Sequence, residues 1–267
     1  MSADAGGAAR IEAIYISPVK SLALVALDRA HVGPDGIYED RRFFLSDERG
    51  RLITQREYGS LVRIMPSYTR EPEQLRLRFP NGSEAAAAPR EGESIIVRFF
   101  GKRDVEGTVV EGPWAAALSA FTGRPLRLVR AARTAFDALP VSLCSDASVA
   151  ALRAQTEGVA VDARRFRPNF VLSGLGAHGE DAWVGRSVRI GAAVVHMRLR
   201  DPRCAIINHN PDTGERDLNT LKVITSYRTD QPREVNFGVY GTVEREGVVA
   251  VGDTVAPLAD GVAAPSE

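Results

Sequence analysis

Apolar residues in this chain recur in short runs that alternate with polar ones, and turn signals cut the runs apart. Residues 11–16 (IEAIYI), 75–79 (LRLRF) and 194–199 (VVHMRL) carry the near period-two pattern of half-buried strands. Residues 95–100 and 248–255 add β-branched or aromatic runs. Asp35-Gly36, Asn81-Gly82 and Pro211-Asp212-Thr213-Gly214 supply the turns between such runs. Helical signals are confined to three stretches. Residues 113–122 open on a proline and end before Gly123, 146–155 follow Ser145 as N-cap, and 220–228 form the third. The alanine run 85–88 reads as loop. Many short strands with so few helices predict a mainly β or α+β fold of barrel type.

The first helix lies near mid-chain and divides the sequence into an N-terminal β-rich module, 10–130, and a C-terminal module, 131–260. Residues 131–134 are too few to let the halves move independently, and 1–9 and 261–267 read as tails. The 34 basic and 34 acidic residues cancel, which argues against a nucleic-acid partner. Two cysteines exclude a disulfide scaffold and any four-cysteine zinc or iron–sulfur site supplied by this chain alone. The opening residues lack a secretory pattern and no long uncharged apolar run is present, so we expect a cytoplasmic protein without membrane contact.

Phosphate-loop, dinucleotide, zinc-protease and nucleophile-elbow patterns are absent. Of the two thiols, Cys204 follows Arg200-Asp201-Pro202-Arg203, where two arginines favour thiolate, although a structural cysteine fits there too. Cys144, in Val141-Ser142-Leu143-Cys144, reads as a strand end entering the core. A zinc site from Cys144, Cys204, His196 and His209 lacks close ligand spacing. Three segments combine cations, small polar groups and tight turns: Ser17-Pro18-Val19-Lys20-Ser21, Asp40-Arg41-Arg42-Phe43, and 164–169 (RRFRPN). Taken singly they read as surface turns; brought together they would form a phosphate pocket.

As a set these segments resemble a known family. Residues 16–21, Asp40-Arg41 and Thr54-Gln55-Arg56 resemble the N-terminal β-barrel module that precedes a MOSC domain. Residues 165–169, Glu180-Asp181-Ala182-Trp183, Arg203-Cys204, 210–214 (NPDTG) and Phe237-Gly238-Val239-Tyr240 resemble the MOSC domain itself. The group includes the C-terminal domain of molybdenum-cofactor sulfurases and the amidoxime-reducing components. The resemblance implies a barrel holding molybdopterin, with Cys204 as the protein ligand to molybdenum and the catalytic thiolate. It further implies that Lys20, Ser21, Arg41, Arg167 and Asn169 hold the pterin and its phosphate, with Arg203 and Tyr240 beside them. Family members that reduce amidoximes carry small hydroxyl residues before a helix-leading proline, where this chain has Ala138-Leu139-Pro140, so one or two hydrogen bonds to the cofactor would be lost or moved. The function implied is reduction of small N-hydroxylated compounds. Electrons would come from separate ferredoxin- or cytochrome-type donors and their reductase, since two cysteines cannot hold a cluster. The alternatives are a cofactor or sulfur carrier with a persulfide on Cys204, and a barrel that has lost the cofactor.

Overall fold

Seven strands close a barrel in the structure, a computed structural model that describes residues 8–156, 158–230 and 234–259. In order around it run Phe170–Ser173, Val141–Ser145, Asn236–Arg245, Ala193–Pro202, Ser187–Ile190, Thr254–Pro257 and Ala9–Ile16, and the last pairs back to the first. Neighbours are antiparallel except Val141–Ser145 and Phe170–Ser173. That parallel pair needs a crossover, which includes the helix at Asp146–Arg153. Ser145 caps this helix by accepting from the Ser148 N–H. In Ala9–Ile16 a register shift between Ile11 and Ala13 resets the alternation, so that Ile11, Ile14 and Ile16 all join the barrel core with Leu143, Phe170 and Met197.

Residues 43–131 of the N-terminal half form two further sheets, while Arg29–Gly33 and Gly36–Ile37 make a third with Gly247–Ala250. One is five-stranded, from Leu52–Ile53 through Phe43–Ser46, Arg127–Ala131 and Arg103–Glu111 to Arg90–Phe99. The other is a meander of Met65–Arg70, Glu73–Arg78 and Glu84–Ala87. The helix at Trp114–Thr122 packs with them, and Phe43, Leu61, Leu75, Trp114 and Leu128 share one core. Gly123, at φ 69°, ends that helix in the left-handed turn a glycine allows. The third helix is Thr220–Tyr227.

The mainly β fold therefore agrees with the alternation in the sequence, with three corrections. The run 85–88 is not loop: Glu84–Ala87 pairs with Glu73–Arg78, and burial of Ala85 in the module core overrides alanine's weak strand preference. Residues 248–255 are two strands, because Gly252 at φ 90° turns the chain between Gly247–Ala250 and Thr254–Pro257. Of the expected N-terminal tail, Ala9 is buried and opens the first barrel strand, while 1–7 and 261–267 lie outside the described residues. The first strand is thus a stave of a barrel otherwise built from residues 141–257, and Gly247–Ala250 pairs with Arg29–Gly33. Residues 17–24 leave the barrel, with Val19 and Leu22 in the module core, before Val25–Leu27 pairs back onto Ala9–Ile16; this crossing and the one at 132–140 both contribute to the site. No helix among the described residues is long and apolar enough to cross a membrane.

Candidate functional site

Six non-glycine residues among those described have positive φ, and four of them surround one cavity: Ser21 (74°), Arg41 (49°), Phe100 (51°) and Arg167 (51°). Left-handed backbone is costly for such residues and persists where neighbouring bonds over-determine it. The Arg41 N–H donates to the Ser17 carbonyl at 2.8 Å, its guanidinium pairs with the Asp40 carboxylate, and its Nη2 donates to the Arg167 carbonyl at 3.2 Å. Arg167 in turn donates from Nη2 to Ser17 Oγ and to the Leu22 carbonyl, each at 2.7 Å. These bonds fasten the barrel to the crossing at residues 17–24. The cavity they enclose has a volume of about 410 Å³, in the range of small-molecule sites.

Lys20, Ser21, Arg41, Arg167, Arg203, Cys204 and Tyr240 all line this cavity, although they are far apart in sequence. Asn169 does not. It is buried behind the wall, accepting from the Ser142 N–H at 3.0 Å and donating to Asp40 Oδ2 at 2.9 Å, so it positions the acid that holds Arg41. Lys20 pairs with Asp137 and donates to the Ala135 carbonyl at 2.8 Å. Burial, with Arg41 and Arg167 nearby, pushes the Lys20 ammonium below its ordinary range despite Asp137. Burial and the Arg41 charge likewise push Arg167 down to about 9. Arg203 donates to the carbonyls of Phe237 and Phe166 and lies 2.5 Å from Asp201 Oδ2. Burial pushes Asp201 up to about 7, against Arg203, and pushes Tyr240 well above 10 with help from Asp201. Cys204 is half-buried and carries no disulfide. Cys144 sits wholly in the apolar cluster around Phe166 and Phe237, and burial pushes its thiol well up.

Comparison with known proteins gives these residues a family. Residues 131–256 match the MOSC domain and residues 8–107 the MOSC N-terminal beta barrel domain. The chain is 30% identical to mitochondrial amidoxime reducing component 2 of Bos taurus, over 92% of this chain and 82% of that one. The chain belongs to the MOSC family. To mitochondrial amidoxime-reducing component 1 of Xenopus laevis this MOSC chain is 26% identical, over 92% of itself and 81% of the relative. Among solved structures it is similar to the YUAD protein from Bacillus subtilis, with 16% identity, a TM-score of 0.42, and coverage of 92% and 93%.

The MOSC chain's cavity also holds residues to which sequence reasoning assigns no role. Arg56, Phe100 and Lys102 come from the N-terminal module, Asp137 from the second crossing, and Asp201 from the strand leading to Cys204. Gln55 and Arg165 also line it; the first is visible in the sequence only as part of Thr54-Gln55-Arg56 and the second as part of the RRFRPN segment. Asp137 carries no signal at all, since a lone aspartate in a loop looks like any turn. Ala138 lines the wall without a side-chain donor, and Pro140 leads a strand rather than a helix. The lining carries seven cations (Lys20, Arg41, Arg56, Lys102, Arg165, Arg167, Arg203) against two carboxylates, Asp137 and Asp201. Gln55 Oε1 and Arg165 Nε and Nη1 are buried without a hydrogen-bond partner, and Asp201 Oδ2 has the Arg203 charge beside it but no aligned hydrogen bond. An anionic ligand rich in donors and acceptors, together with a thiolate-binding metal, fits this wall on both counts. No cluster of three or more His, Cys, Asp or Glu side chains among the described residues suits a metal ion.

Proposed function

We propose that this chain, with modules at 10–130 and 131–260, is a molybdenum-cofactor oxidoreductase that reduces small N-hydroxylated compounds such as amidoximes and hydroxylamines. Its electrons would come from separate ferredoxin- or cytochrome-type proteins and their reductase. The observation that carries the reading is a lone thiol, Cys204, on a cavity whose other walls carry seven cations. Kinship with proteins named amidoxime-reducing components supports the reaction class. When bound, the cofactor supplies the two-electron chemistry of N–O cleavage.

The chain's own residues bind, orient and protonate. Cys204 would hold the metal through Sγ. Lys20, Ser21, Arg41 and Arg167 would hold the phosphate and pterin, their positions set by Asp137, Asp40, Asn169 and the Ser17 turn. Arg203 makes three donations to backbone carbonyls, so its part is to orient the Cys204 loop and to stand beside Asp201. Converting N–OH to N–H with loss of water takes up two protons. Asp201, buried and raised to about 7, binds one of them near neutral pH, and Tyr240 hydrogen-bonds that carboxyl. A reducing, cytoplasmic compartment would keep both thiols free.

The test is metal analysis of the full chain expressed in a molybdenum-sufficient host, followed by reduction of benzamidoxime with a reduced viologen. Stoichiometric molybdenum with turnover supports the reading. A metal-free chain that instead carries one extra sulfur on Cys204 by mass spectrometry would point to the carrier.

A further inference from the structure

We propose that the cavity takes an anionic substrate, and that Arg56 and Lys102 on the module wall hold a carboxylate carried by the compound being reduced. This rests on the reductase reading above and adds to it the charge of the substrate and the groups that read it. Five of the seven cations on the cavity wall are engaged within the fold. Lys20 pairs with Asp137, Arg41 with Asp40, Arg165 with Asp217 and Arg203 with Asp201, while Arg167 donates to Ser17 Oγ and the Leu22 carbonyl. Among the described residues, neither the Arg56 guanidinium nor the Lys102 ammonium makes a hydrogen bond or an ion pair, although both residues are exposed and line the cavity. The acids near them in sequence are turned elsewhere. Glu57 Oε2 accepts from the Thr54 N–H and Oγ1 at 2.9 and 2.8 Å, and Asp104 accepts from Arg98 at 3.0 Å. Asp137 is felt by Arg56 through space, but its hydrogen bond goes to Lys20.

Backbone turns, not acidic partners, place these two cations. The Arg56 N–H donates to Thr54 Oγ1 at 3.2 Å, inside a turn closed by the Glu57 and Tyr58 N–H groups on the Thr54 carbonyl. The Lys102 N–H donates to the Phe99 carbonyl at 2.9 Å and closes the hairpin between Arg90–Phe99 and Arg103–Glu111. Phe100 and Gly101, the central residues of that turn, are both left-handed, at φ 51° and 70°. Glycine or asparagine is the usual choice at the first position. Phenylalanine there sets its ring against the Arg56 guanidinium, 4.6 Å from the ring centre. Stacking fixes the plane of the guanidinium and leaves its N–H edge free, the arrangement that receives a carboxylate through two parallel bonds. Lys102 adds a point charge from the same hairpin. A neutral ligand would leave both charges unanswered, whereas an anion is drawn in by them. A cofactor phosphate is also an oxyanion, so the experiment separates the two sources.

The full chain from a molybdenum-sufficient host, kept free of electron donor so that nothing turns over, is titrated by calorimetry with benzamidoxime and with its meta- and para-carboxylated derivatives. The better-fitting carboxylated isomer should bind roughly ten- to a hundredfold more tightly than the parent, and the preference should shrink as salt is raised, because both cations are exposed. Arg56→Gln keeps a planar amide but loses the charge and the fork, and should bring the ratio of the Kd values close to one. Lys102→Ala should lower that ratio about threefold and guards against a folding defect in the first variant. Both variants should keep wild-type molybdenum and pterin content. With a reduced viologen as donor, the same ratio should appear in KM. A parent compound that binds as tightly as both carboxylated isomers overturns the proposal and leaves the two cations to a larger acidic partner. An undiminished preference in Arg56→Gln overturns it too. So does loss of molybdenum and pterin from folded Arg56→Gln, which would assign the guanidinium to the cofactor phosphate. A chain that prefers the carboxylate through Arg56 but reduces none of the compounds sustains the anion site and overturns the reductase reading instead.

Discussion

On the barrel wall of the cavity, Arg167 and Arg203 donate to backbone carbonyls, and Asp201 is held between Arg203 and Tyr240. On the wall from the N-terminal module, Arg56 and Lys102 are exposed, and Phe100 stands in a left-handed hairpin turn. The first wall is braced before anything binds. The second presents two exposed cations. That difference suits a resident group fixed on the barrel side and a substrate that comes and goes past the module, because precise placement needs side chains whose own positions are already locked.

The comparison breaks most completely at Cys204. Cys204→Ala should abolish benzamidoxime reduction and strip molybdenum, read by metal analysis, while circular dichroism stays that of the wild type. Full activity would mean that the barrel wall does not hold the metal, since no other thiol lines the cavity. Next in size is Arg167→Ala. Losing a charge-assisted donor worth roughly 1.5–3 kcal/mol should lower cofactor occupancy about ten- to a hundredfold. Its thermal midpoint should also fall, because Arg167 fastens Ser17 and Leu22 to the barrel. Lys102→Ala, on the opposite wall, should leave occupancy near wild type; an equal loss from both would erase the distinction.

A smaller effect is electrostatic. Asp201 titrates near 7 in the fold against an ordinary 3.8, so the folded chain binds more protons than the unfolded one between those values. The stability this group contributes is therefore complete below 3.8 and is lost as pH rises through about 7, at up to about 1.4 kcal/mol per pH unit. Urea unfolding at several pH values should show this decline in the wild type and a flatter profile in Asp201→Asn. Smallest of all is Cys144→Ala. It removes one buried sulfur from the apolar cluster, should cost about 1 kcal/mol in the same unfolding assay, and should leave reduction nearly intact.

The strands and helices of this molecule were largely legible because alternation and capping are local: 11–16, 75–79 and 194–199 lie within strands or run one residue past them, and Ser145 caps its helix. The cavity residues were legible for a different reason, namely that Lys20, Arg41, Arg167, Arg203, Cys204 and Tyr240 stand in family segments in the expected order. Asn169 stood in such a segment too, yet its amide faces Ser142 and Asp40, a detail no motif encodes.

By itself, then, the sequence determined which short runs must be strands, which thiol is apolar in its surroundings and which stands among cations, and which family the segments resemble. Tertiary structure alone decided that Ala9–Ile16 closes a barrel made from the far half of the chain. It also decided that Asp137, Asp201 and Gln55 face the same space as Cys204. The physical reason is that side-chain alternation records which face of a strand is buried but not which partner buries it. A cavity assembled where two crossings meet a barrel rim is made entirely of such long-range choices.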